Sequence, residues 1–123
     1  MVASQAYAKR PDHTITVEPH AGRVTVQLGG ETVAETDDAL ELREASYPPV
    51  LYVPRADCRM GHFEATDRST HCPFKGDARY WTLSAGDKTA ENAAWAYDDP
   101  YDQVAAIASH VAFYTDKVEV TEG

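Results

Sequence analysis

The stretch Arg23–Thr36, RVTVQLGGETVAET, alternates polar and apolar residues on both sides of a Gly-Gly pair. A period of two sends successive side chains to opposite faces of a strand, so this pattern predicts two half-buried strands rather than helix. Gly29-Gly30 can take the positive φ angles of a two-residue hairpin turn. In that hairpin Leu28 is expected opposite Glu31, and Val26 opposite Val33. The same alternation precedes it in HTITVE, His13–Glu18, and returns after an Asp37-Asp38 turn in ALELRE, where Leu40 and Leu42 share one face. The hairpin and ALELRE together read as a three-stranded meander.

Prolines and glycines punctuate the remainder. SYPPVLYVPR has prolines on either side of a short apolar run, and since proline cannot donate to a sheet ladder they bracket VLYV as a strand. Residues 56–66 are ambiguous, with one helical turn conceivable in ADCRMGHFE and weakened by Gly61. ARYWTLS and ENAAWAY flank a Gly86-Asp87 turn. A hairpin symmetric about Lys88 sets Trp81 opposite Trp95, Arg79 opposite Tyr97 and Leu83 opposite Ala93 on one side of the sheet. Ala94 and Ala96 then make the other side of that strand small. A helix is expected from Asp99 as N-cap and Pro100 at the first helical position, burying Val104, Ile107, Ala108 and Val111, with His110 near its end. KVEV closes the fold as a strand. The fold class is therefore mainly β within α+β, antiparallel strands with one C-terminal helix.

A chain of 123 residues is the size of one domain with one core. Residues 1–12 read as an N-terminal extension and 13–120 as the domain. No run approaches the roughly 20 apolar residues of a membrane span, and the first residues lack the apolar segment of a secretory signal. A cytoplasmic location is expected. Eleven basic against twenty acidic residues give a formal charge of −9, which disfavours nucleic acid and anionic membrane as partners. Two cysteines, Cys58 and Cys72, are too few for a disulfide framework and are expected to be free.

The segments GRVTVQLGGETVAET, YPPVLYVPRADC, TDRSTHCPFKGDARYW, ENAAWAY and HVAFYTDKVEV, in this order and spacing, resemble the bacterial domain-of-unknown-function family 427. The resemblance covers His13 to Val120. It implies two antiparallel sheets leaning together as a tent over a pocket, similar to the ligand-binding domain of cereblon and to methionine sulfoxide reductase B. Those relatives often hold a structural zinc with paired C-x-x-C motifs; this chain has no C-x-x-C, so that site is not carried over. A nucleotidyltransferase label is also attached to the family. Such an enzyme needs a Gly-Ser followed by spaced aspartates for Mg²⁺, and the acidic cluster DDPYD has no Gly-Ser before it.

The stretch THCPFKGDARYW concentrates the candidate chemistry. Pro73 biases Cys72 toward extended backbone, and Arg68, His71 and Lys75 bring positive charge toward its sulfur, making Cys72 a candidate nucleophile with Lys75 beside it. Against this, free cysteines usually pack as small hydrophobes, and adjacent residues on a strand face opposite ways, so His71 is poorly placed as the base. Cys58, His62, His71 and Cys72 have the inventory of a zinc site without its spacing, and no metal or cofactor is expected. The aspartate pairs sit where turns and caps need them.

Only five leucines and two isoleucines are present, so aromatic residues must fill the centre or line a cavity. Tyr52, Tyr80, Trp81, Trp95 and Tyr97, with Arg55 and His71, are the expected lining of a small-molecule pocket between the sheets. Two alternatives stand beside that binding role. One is thiol redox or nucleophilic chemistry at Cys72, with Cys58 as resolving partner; the other is a structural domain that forms a homodimer.

Overall fold

A computed structural model describes residues 14–122. The expected N-terminal extension, together with His13, lies outside the described residues. Ten strands form two antiparallel sheets. They are β1 Ile15–Pro19, β2 Val24–Leu28, β3 Glu31–Thr36, β4 Leu40–Glu44, β5 Val50–Pro54, β6 Phe63–Cys72, β7 Gly76–Ala85, β8 Lys88–Tyr97, β9 His110–Phe113 and β10 Glu119–Glu122. The larger sheet has the order β1-β4-β5-β9-β8-β7-β6, and the smaller one β10-β2-β3.

The Gly29-Gly30 hairpin forms with Leu28 opposite Glu31. Both glycines have positive φ, 59° and 82°. Val26, however, pairs with Ala34 rather than Val33, because a bulge between Val26 and Gln27 takes up one residue of β3. The meander is not formed either. After the Asp37-Asp38 bend the chain leaves the small sheet, and β4 pairs with β1 and β5 in the large one. Thr36 fixes this exit: its hydroxyl donates to Asp57 (2.6 Å) and accepts from the Asp38 backbone N–H (2.9 Å).

No C-terminal helix is present among the described residues. Asp102–Ile107 forms two 3₁₀ turns merged across Val104, whose φ of −126° and ψ of 29° are not helical. Ser109 at φ 62° then turns the chain into β9. Val104 and Ile107 are buried as expected, but a spacing of three serves a 3₁₀ turn as well as an α-helix. Val111, the supposed continuation of the stripe, belongs to a strand paired with Val53. His110 accordingly begins a strand instead of capping a helix.

The long hairpin of β7 and β8 turns at Gly86-Asp87, with Ala85 opposite Lys88. Its register differs from the symmetric one. Beyond Leu83↔Ala90, residues 91–93 of β8 bulge opposite Thr82, so that Trp81 faces Ala94, Tyr80 faces Trp95 and Ala78 faces Tyr97. Asn92 at φ 49° holds the bulge, donating from its N–H to Thr82 Oγ1 (3.2 Å) and accepting at Oδ1 from Thr66 Oγ1 (2.6 Å). A one-residue slip exchanges the faces of every side chain beyond it. Trp81 and Trp95 therefore lie on opposite sides of the sheet.

Two buried clusters result, one on each face of the large sheet. The first joins Trp81, Leu83, Ala94, Ala96 and Phe113 to Val24, Val26 and Val33 of the small sheet. The alanines admit β2 at close range, so the small face of β8 is covered by the small sheet. The second joins Tyr52, Tyr80, Tyr97 and Ala112 to Ile15, Leu42, Val104 and Ile107.

Candidate functional site

Strands β5 and β9 pair at Val53↔Val111 and Pro54↔His110 and then part. On one side of the gap runs Val50–Tyr52, preceded by the Tyr47-Pro48-Pro49 segment; on the other run Phe113–Asp116 and then β10. A cleft of about 1120 Å³ occupies the space, reaching Tyr80, Trp95 and Tyr97 on β7 and β8. That is slightly above the roughly 300–1,000 Å³ of typical small-molecule pockets.

Each aromatic residue reaches the cleft through its strand position. Tyr80 and Trp95 are cross-strand neighbours, and Tyr97 follows two residues later on the same face. Tyr114, just past β9, meets Trp95 with ring centroids 4.6 Å apart at an interplanar angle of 43°. Burial raises the pKa of the Tyr52 and Tyr97 phenols above the ordinary range. Tyr80 is different. Burial alone would raise it, but hydrogen bonds with Thr70, Tyr114 and Arg68, together with the Arg68 charge, outweigh burial and lower it. Thr70 Oγ1 lies 2.9 Å from the Tyr80 hydroxyl, and the Arg68 guanidinium lies 4.9 Å from its ring centroid. Tyr114 is raised by burial and by its bond to Tyr80. The two phenols thus form a polarised pair on the cleft wall.

Lys75 enters the cleft from the turn between β6 and β7. Its N–H donates to the Cys72 carbonyl (3.2 Å), and its own carbonyl accepts from the Tyr101 N–H (3.0 Å). Gly76 follows at φ 117°, where a Cβ would stand 3.3 Å from the Asp99 carbonyl oxygen; this position requires glycine. So held, Lys75 Nζ donates to Glu44 Oε1 at 2.5 Å, with the two side chains only 12% and 15% exposed. Both groups line the cleft. The arrangement offers π faces, phenol hydroxyls and one nearly buried ion pair to an occupant.

Of the residues expected at the site, Tyr52, Tyr80, Trp95, Tyr97 and Lys75 converge on this cleft. Cys72, half-buried, packs against the same cluster without forming the wall. Trp81, Arg55 and His71 do not join them. The register slip turns Trp81 to the other face, where Arg55 and Arg79 hold their guanidiniums 5.1 and 4.6 Å from its centroid and both bind Asp98. His71 is exposed and paired with Asp77 at 2.7 Å. Glu44 and Tyr114 escaped the sequence reading, Glu44 because the polar side of an alternating strand reads as solvent-facing. Tyr114 follows residues that read as helix.

The remaining candidates are dispersed. Both cysteines are free, and Cys58 lies in the first cluster while Cys72 lies against the second. His62 Nδ1 is 2.8 Å from the Ser84 carbonyl oxygen. Among the described residues no three His, Cys, Asp or Glu side chains gather as a metal-ligand set.

Residues 16–123 match the model of a domain of unknown function, DUF427. The chain belongs to that family. No curated protein matches it. Among the described residues of this DUF427 domain no helix is long and apolar enough to cross a membrane.

Proposed function

We propose that this DUF427 domain binds a small organic molecule in the cleft between β5 and the turn of chain after β9. The observation that carries the reading is the convergence of Tyr52, Tyr80, Trp95 and Tyr97 on one cleft of about 1120 Å³ whose wall also contains the Lys75–Glu44 pair. An apolar concavity with a few fixed polar groups is the usual form of a ligand site. Aromatic walls hold a flat or ring-bearing guest, and the ion pair and the Tyr80–Tyr114 hydroxyls orient its polar atoms. Binding, with no assigned reaction, is the function proposed.

The two tryptophans make the test specific. Trp81 is 4% exposed on the opposite face, whereas Trp95 lines the cleft. A metabolite library is screened by melting temperature and tryptophan fluorescence on wild type, Trp81→Phe and Trp95→Phe. Hits are expected to quench wild type and Trp81→Phe, and to lose that quench in Trp95→Phe. A library without one stabilising compound, or hits that quench only through Trp81, would remove the reading.

A further inference from the structure

The charges around the cleft are unequal. Its lining has one ammonium, Lys75, against four carboxylates, Glu44, Asp116, Glu119 and Glu122. Lys75 is already neutralised by Glu44 at 2.5 Å. Glu122 has His20 Nε2 at 3.4 Å. Lys117, next to Asp116 in sequence, does not enter the lining: its ammonium donates to the Glu91 carbonyl (2.7 Å). Asp116 and Glu119 are exposed at the mouth, so the described lining residues contribute a negative field there. Clefts with low-dielectric walls concentrate such a field and raise the local concentration of the opposite charge.

The rings beneath this mouth point to the same preference. Aromatic faces carry negative potential and attract cations, and the domain itself uses them so: the Lys117 ammonium lies 5.5 Å from the Tyr114 centroid, and the Arg68 guanidinium 4.9 Å from that of Tyr80. Among the described residues, cation–ring contacts fall on Trp81, Tyr80 and Tyr114, and none falls on Tyr52, Trp95 or Tyr97. Of the three, Trp95 is the half-buried ring that lines the cleft with no cation of the described residues over it, while Tyr52 and Tyr97, 1% and 7% exposed, back the wall.

We propose that the cleft selects an organic cation, a protonated or quaternary amine on an aromatic or aliphatic body, with its charge between the mouth carboxylates and its body on the Trp95 side. This rests on the binding role proposed above and assigns the chemical class of the guest. An anionic guest would meet Asp116 and Glu119 with no unpaired cation among the described lining residues to offset them.

The test uses the full chain and three matched probes: phenethylamine, 2-phenylethanol and phenylacetate. Binding is followed by melting temperature and by the Trp95 indole N–H resonance, identified by its loss in Trp95→Phe. Phenethylamine is expected to bind about tenfold more tightly than phenylacetate, with 2-phenylethanol between. The gap should narrow in about 0.5 M salt, since mouth charges are screened there. Asp116→Asn with Glu119→Gln, both at exposed positions, should shrink it too, with the melting temperature of the unliganded variant as control. Phenylacetate binding equal to or tighter than phenethylamine at the Trp95 resonance overturns the proposal and leaves the binding role standing. So does silence of that resonance toward all three probes when library hits that depend on Trp95 are neutral or anionic. Silence toward probes and library alike ends both.

Discussion

Cys58 is 8% exposed in the cluster that contains Val33, Ala34 and Val53, with its S–H directed at the Pro54 carbonyl 3.7 Å away. Burial pushes the thiol pKa from 9.0 up to about 12, with the neighbouring Asp57 carboxylate acting in the same direction. A raised folded-state value means that the stability it contributes is complete below the unfolded pKa, near 9, and is lost as pH rises toward 12. Tyr52 and Tyr97 are raised above their usual 10, so each begins to add to the loss below that pH, about 0.3 kcal/mol apiece between pH 9 and 10. Between pH 9 and 10 the thiol is the largest single contributor. Urea denaturation should show wild type losing about 1 kcal/mol more over that interval than Cys58→Ala, which keeps only the tyrosine share. Under the same conditions intact-mass alkylation should modify half-buried Cys72 before Cys58. A wild-type slope unchanged by Cys58→Ala would remove the assignment. That both thiols are free was legible from their number. Which was sealed was not, because Cys58 is enclosed by strands that precede it in the chain and by others that follow.

At the scale of single elements, local chemistry was the legible part. Gly29-Gly30 and Gly86-Asp87 mark their turns in any context, and prolines delimit β5, so these hairpins and strands follow from neighbours in sequence. Register and element type failed where distant residues decide. The bulge on β8 depends on Asn92 accepting from Thr66 on β6, two strands away in the sheet. The expected helix gave way because His110–Phe113 is captured as a strand between β5 and β8. The bulge is consequential, since it sets which residues of β8 face the cleft. Asn92→Val should cost about 2 kcal/mol, combining left-handed strain for a β-branched residue with loss of the Thr66 hydrogen bond. Asn92→Gly, which relieves the strain and loses only the side-chain bond, should cost about half as much. Asn92→Asp retains the acceptor and should be mildest. Chemical denaturation orders the three, and Val as benign as Asp would mean that the bulge does not depend on this residue.

For the whole molecule, the large sheet has hydrophobic clusters on both faces but supplies both from the same strands. Val53, Trp81, Ala94 and Val111 belong to the first cluster; Tyr52, Tyr80, Trp95 and Ala112, each adjacent in sequence to one of these, belong to or pack against the second. Strict alternation makes this division legible in principle, but β4 leaving the meander and the β8 slip hid which residues met. The same sharing couples the cleft to the core: the strands that carry its rings carry the packing for the small sheet on their reverse side. A cluster cannot then melt while the other stays intact, because losing either frees the strands they share. Val33→Ala in the first cluster and Ile107→Ala in the second, both fully buried positions, should cost about 2 and 3 kcal/mol. Each should lower one common transition, seen alike by tryptophan fluorescence in Trp81→Phe and Trp95→Phe backgrounds, with the urea m-value unchanged. Two separated transitions, with Ile107→Ala moving only the Trp95 signal, would show instead that the cleft side unfolds by itself, and would locate ligand binding on an element able to order and disorder apart from the core.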